Sequence, residues 1–161
     1  MTLEQASLVA QIVSAVAVIA SLIFVGVQLK QATAAIRGSS SEAHAALYTE
    51  LVQSIIDNAD FARIWSVGLS DPKALREDEW VRFVAYSSAL FRQYETSRVQ
   101  WQKGRLDNEH WHTVEKQATN FRNLPGLKAA WKIRGHWYSP DFRDWFESLD
   151  ASEIPPTYGR D

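Results

Sequence analysis

Four histidines, at positions 44, 110, 112 and 136, are the groups best suited to proton transfer or metal binding near neutral pH. His110 and His112 stand two residues apart, about 200° around a helix, so they cannot grip one ion from a single face. A metal site would have to form across helices from His112, Glu115 and Glu95. The Glu-x-x-His pairing that helical-bundle metal proteins use is missing, and solvated or hydrogen-bonded histidines account for the pattern. Glu77-Asp78-Glu79 is a carboxylate cluster, but acids in the first turn of a helix stabilise its dipole without any catalytic role. The seven glycines are dispersed, Lys103-Gly104-Arg105 has no phosphate-loop spacing, and no serine sits in a Gly-x-Ser-x-Gly elbow. Cysteine is absent, which excludes disulfides, thiolate metal sites and a thiol nucleophile. Arg98, between Tyr94 and Trp101 on one helical face, suits a cation–π contact. Trp80, Tyr94, Trp101 and Trp111 are candidates to line an apolar pocket for a lipid or small ligand, although aromatics at three-four spacing are also how a helical core is built. No catalytic residue, cofactor or metal is expected.

The element that must position everything else is at the N-terminus. No charge occurs between Glu4 and Lys30, and the residues between are mostly Val, Ile, Leu, Phe and Ala. A hydrocarbon core of about 30 Å needs roughly 20 mostly apolar residues, so the stretch is long enough to cross a bilayer, with a span at about 8–29. A cleaved signal peptide wants a basic start, an apolar core of about 7–15 residues and a small-x-small break. Met-Thr-Leu-Glu and the longer run fit a retained anchor better. Lys30 and Arg37 follow the span while Glu4 precedes it, which places the bulk of the chain on the cytoplasmic side and the N-terminus outside.

Polar positions inside the span are regular. Ser7, Ser14, Ser21 and Gln28 recur every seven residues, with Ala10, Ala17, Phe24 and Gln31 three residues further on. These are heptad a and d positions, forming one small or polar stripe interrupted by Phe24. Leu8, Val9, Ile12, Val16, Ile19, Ile23 and Val27 lie on the remaining faces and suit lipid tails. Membrane helices associate through small residues and through Ser or Gln hydrogen bonds, so Ser7, Ala10, Ser14, Ala17, Ser21 and Gln28 form a candidate association seam. The register continues to Ala35, Gly38, Glu42 and Ala45.

After the span the chain reads as helices and turns, with no strand pattern. A helix over 31–56 carries Leu47, Leu51 and Ile55 on one face, with Gly38-Ser39-Ser40-Ser41 a hinge or simply a small-residue stretch within it. Asp57-Asn58-Ala59-Asp60 stops and restarts the chain, leading to a short helix with Phe61, Ile64 and Trp65 inward and Gly68 as its C-terminal cap. Ser70-Asp71-Pro72 makes a turn before the longest soluble helix, about 75–103, which Gly104 ends. Asp107 caps a helix through Trp111, Val114, Ala118 and Phe121. Pro125 opens another that Gly135 closes. Ser139-Pro140-Asp141 supplies an N-cap, an N1 proline and a first-turn acid for the last helix. The expectation is an all-α protein: anchor 1–30, aromatic-rich helical bundle domain 31–150, and an extended tail 151–161.

All 17 Lys and Arg and 18 of the 19 acids lie from Lys30 onward, leaving that part near neutral. A nucleic-acid surface needs a basic face, so no nucleic-acid partner is expected, and Lys30 and Arg37 are too few for a polybasic strip beside the span.

The order of elements resembles a loose group of short, uncharacterised bacterial single-pass membrane proteins with a helical cytoplasmic domain. The resemblance rests on Ile-Phe-Val-Gly-Val-Gln-Leu-Lys-Gln at Ile23–Gln31, the aromatic-plus-glycine turn from Ile64 to Pro72, Leu90-Phe91-Arg92-Gln93-Tyr94-Glu95, and the segment from Trp131 to Phe142. It implies a topology in a bacterial inner membrane and nothing catalytic. The sequence therefore points to a non-enzymatic membrane protein that assembles through its anchor, as a homo-oligomer or an accessory subunit. The alternative is a membrane-proximal lipid- or small-ligand-binding module, and less favoured is a metal-dependent enzyme.

Overall fold

The computed structural model describes residues 2–149, without the side chains at 3, 6, 9, 10, 37 and 39–44; the expected tail lies outside them. The described chain is all-α: six α-helices, two short 3-10 turns and no strand. It divides into two compact units, Met1–Ser39 and Ser40–Asp161.

The first helix, α1, is assigned over Leu3–Ile56, through the Gly38-Ser41 stretch, with Glu4 in its first turn. Within it Gln11–Ile36 is long and apolar enough to cross a membrane, and none of this window is buried. Ile12, Val16, Ile19, Leu22, Ile23 and Phe24 are all exposed. A run of bare aliphatic side chains on this scale marks a surface for a membrane or for another protein.

The second unit is held by an ordinary core. Helix α2 (Ala59–Ser70) starts where Asn58 accepts a hydrogen bond from the Phe61 N–H at 2.9 Å. A 3-10 turn at Pro72–Ala74 follows, capped by Asp71. Helix α3 (Glu77–Gln102) ends before Gly104, whose φ of 67° is the left-handed conformation that glycine adopts without steric cost. Helix α4 (Asn108–Arg122) is capped by the Asp107 carboxylate on the His110 N–H. Helix α5 (Pro125–Arg134) passes into a 3-10 turn at Gly135–Trp137, and α6 (Pro140–Ser148) starts on the Ser139 cap, as its sequence foretells.

Gly68 is not the helix terminus that its position suggested. It lies buried inside α2, two residues short of the end. A Cβ on Gly126 of α5 would stand 1.8 Å from the Gly68 carbonyl oxygen, and one on Gly68 would meet the Phe83 ring at 2.4 Å. Both glycines exist to let α2 and α5 approach backbone to backbone across Phe83. Around this crossing pack Ile64, Phe83, Phe91, Leu127, Phe142 and Phe146, with half-buried Leu51 and Ile55 of α1 against them.

Candidate functional site

Helical geometry turns the heptad positions of α1 into a stripe, drifting about 20° per heptad on a straight helix. Ser7, Ser14, Ala17, Ser21 and Gln28 are exposed on it; the side chain of Ala10 lies outside the described residues. Ser7 Oγ accepts from Gln11 Nε2 at 3.5 Å. Elsewhere the hydroxyls of Thr33, Thr49 and Ser54 donate back to carbonyls of their own helix, at 2.7–2.9 Å. Ser14 and Ser21 make no such bond among the described residues, so their hydroxyls stand available to a neighbour.

Of the four aromatics considered for a pocket, two are stacked together and the other two pack elsewhere. Trp101 stacks on Trp111 with centroids 5.0 Å apart and donates Nε1–H to Asn108, while Trp80 stacks on Phe83 at 5.5 Å. Tyr94 is buried and borders a small void, of about 30 Å³, with Trp65 and Tyr86. The larger opening, a groove of about 410 Å³, lies between Leu47, Leu51 and Ser54 of α1 and Tyr86, Ala89, Gln93 and Thr96 of α3. Gln93 lines it, and its buried Oε1 has no hydrogen-bond partner. Spacing along one helix predicts which aromatics share a face. It does not predict which neighbour fills the space in front of them.

Among the described residues, several carboxylates tie elements of the second unit together. Glu95 pairs with Arg92 and accepts from the Ser139 N–H at 2.8 Å, whereas His112 faces Glu115 at 3.6 Å. The three are not gathered, and no group of three metal-ligating side chains occurs among the described residues. Glu79, buried under the start of α3, accepts from the Arg76 N–H at 3.0 Å and pairs with Arg63 of α2 and with Arg76. The Arg76 backbone bond and the Arg63 guanidinium hold its carboxyl below the usual carboxylate range. Arg82 reaches Asp60 at 3.0 Å, making a second tie between α2 and α3. Arg98 makes its cation–π contact with Trp145, 5.2 Å from the ring centre, not with the aromatics beside it in sequence. It also clasps both oxygens of Asp141, at 2.9 and 3.3 Å, depressing that carboxyl too. These groups fasten α2 and α6 to α3, and Arg92 also borders the groove beside Gln93.

Compared with known protein families, curated proteins and solved structures, the chain matches none. Function therefore has to be read from the geometry alone.

Proposed function

We propose that this chain is a non-enzymatic, single-pass membrane protein whose α1 associates with a neighbouring helix through the Ser7–Gln28 seam, as a homo-oligomer or as a subunit of a larger membrane complex. The observation that carries the reading is the contrast around α1: bare aliphatic side chains on most faces, and on one stripe small residues among which the Ser14 and Ser21 hydroxyls do not bond back to their own helix. In hydrocarbon an unbonded hydroxyl is costly, and a helix across the seam supplies its partner. Lys30 near the end of the span and Arg37 just after it support a cytoplasmic domain, and the resemblance noted above supports a bacterial inner membrane.

Native mass spectrometry of detergent-purified protein tests this. The expected result is an oligomer or a copurifying membrane subunit, weakened when Ser14→Leu and Ser21→Leu are combined. Interhelical hydrogen bonds of this kind contribute about 0.6 kcal/mol each, so partial dissociation is expected. A monomer that copurifies with nothing, or an assembly indifferent to the double substitution, would sink the seam. A second reading, a small-ligand module, draws on the groove beside Gln93, whose volume is within the usual range for ligand pockets, about 300–1,000 Å³. Gln93→Leu would abolish ligand capture there while leaving oligomer size unchanged.

A further inference from the structure

Between Glu115 and Asp141 the chain contains no acid. That stretch carries Lys116, Arg122, Lys128, Lys132 and Arg134, five of the 17 Lys and Arg, in a protein of net charge −2. The arginines of α2 and α3 all face carboxylates. Lys128, Lys132 and Arg134 of α5 face none among the described residues. The helix dipole explains Lys132 and Arg134, which lie in the last turn. It does not explain Lys128, which sits near the N-terminus of the same helix, where a cation is disfavoured.

Apolar side chains are interleaved with these charges. Ile133 and Trp137 are 44% and 53% exposed, and outside α1 the described residues leave only one other large hydrophobic, Val81, so bare. The Arg134 guanidinium lies over the Trp137 ring, 3.9 Å from its centre. Lys128 and Lys132, with Arg122, Trp131 and Phe146, line a hollow of about 180 Å³; Trp131 there donates Nε1–H to Glu147 at 3.1 Å. Unpaired cations around an exposed tryptophan and isoleucine match the two layers of a membrane surface, anionic headgroups above and the start of the acyl region below.

We propose that the exposed end of α5 and its following turn rest on anionic lipid headgroups. Lys128, Lys132 and Arg134 meet phosphate oxygens while Ile133 and Trp137 enter the interface. This rests on the reading of Gln11–Ile36 as a membrane span, which tethers the domain to a bilayer and makes the contact effectively intramolecular. Each basic side chain strengthens such a contact about five-fold.

Because the chain has no cysteine, full-length Ile19→Cys, Val81→Cys and Ile133→Cys variants each accept a single environment-sensitive fluorophore. The labelled proteins are placed in nanodiscs of phosphatidylcholine, with or without phosphatidylglycerol, containing a lipid-borne quencher. The probe at 19 is expected to be quenched in both, that at 81 in neither, and that at 133 only with phosphatidylglycerol, with release at high salt. Combining Lys128→Gln and Lys132→Gln lowers the contact at 133 roughly 25-fold. Quenching at 19 without quenching at 133 overturns the proposal and leaves the anchor intact; absence of quenching at 19 removes the anchor reading and this one with it. Equal quenching at 81 and 133, or no response to the double substitution, overturns it as well. So does release by inorganic phosphate beyond that by chloride of matched ionic strength, which marks a discrete phosphate site, and so does a short RNA that occupies the patch in place of lipid.

Discussion

The two units use the same kind of side chain in opposite ways. In the first, Ile19 and Leu22 are 57% and 67% exposed; in the second, Ile64 and Phe91 are fully buried. The difference is in what surrounds them along the chain. Around Ile64 and Phe91, apolar residues come at helical intervals between charged ones, so each helix has a dry face and a wet face. Around Ile19 no charged residue interrupts the helix, so outside the small polar stripe its faces are aliphatic and cannot be satisfied by water. The lesson is that burial is a relation between a side chain and its solvent: the second unit makes its own apolar environment and the first requires one from outside.

The largest effect that would break this contrast is inside the second unit. Phe91→Ala removes a ring that packs edge-on against Trp131, Tyr138 and Phe146. It should cost about 3–5 kcal/mol, seen as loss of the thermal transition of the domain while membrane partitioning is retained. The reciprocal change is Ile19→Arg, which should disfavour insertion by about 2.5–3.5 kcal/mol. Fractionation should then show protein leaving the membrane with the domain transition unmoved. If either substitution damages both properties, the units are not independent. A smaller effect is expected of Gly126→Ala, whose methyl would collide with the Gly68 carbonyl. About 1–3 kcal/mol of overpacking strain should appear as a lowered denaturation midpoint.

The smallest effect concerns pH. The Glu79 carboxyl is held below its ordinary range in the folded domain, so it contributes stability that is present at neutral pH and lost as pH falls below about 4, through the unfolded and then the folded value. Glu79→Gln should flatten that acid limb of the stability curve, as measured by chemical denaturation at stepped pH. An unchanged acid limb would show that the Arg63 and Arg76 contacts matter little.

Much of this arrangement is legible along the chain. Asn58, Asp107 and Ser139-Pro140-Asp141 declare helix starts because capping is a local affair between a side chain and an amide three residues away. The charge-free span is legible for the same reason, since length and composition are local. What is not legible depends on distant partners. Gly68 has the look of a terminus, and only the approach of Gly126 shows it to be a crossing point. Arg98 sits among aromatics in sequence, yet its ring and its carboxylate come from α6. Trp101 and Trp111 look like the walls of a pocket until each is seen to fill the other's space. The acid-free run before Asp141 is plain in the letters, but it lies far along the chain from the span. Only the exposure of Ile133 and Trp137 gives it meaning.

The meeting of Gly68 with Gly126 also bears on timing. All of α3 and α4 lies between the two glycines, so the contact closes a long loop and belongs among the slow, non-local steps of folding. On a ribosome, α1 has left the exit tunnel long before α5 has been made. The apolar helix can therefore be complete while the domain behind it still lacks α5. Until α5 arrives, Gly68 of α2 lacks the backbone neighbour it meets in the folded domain.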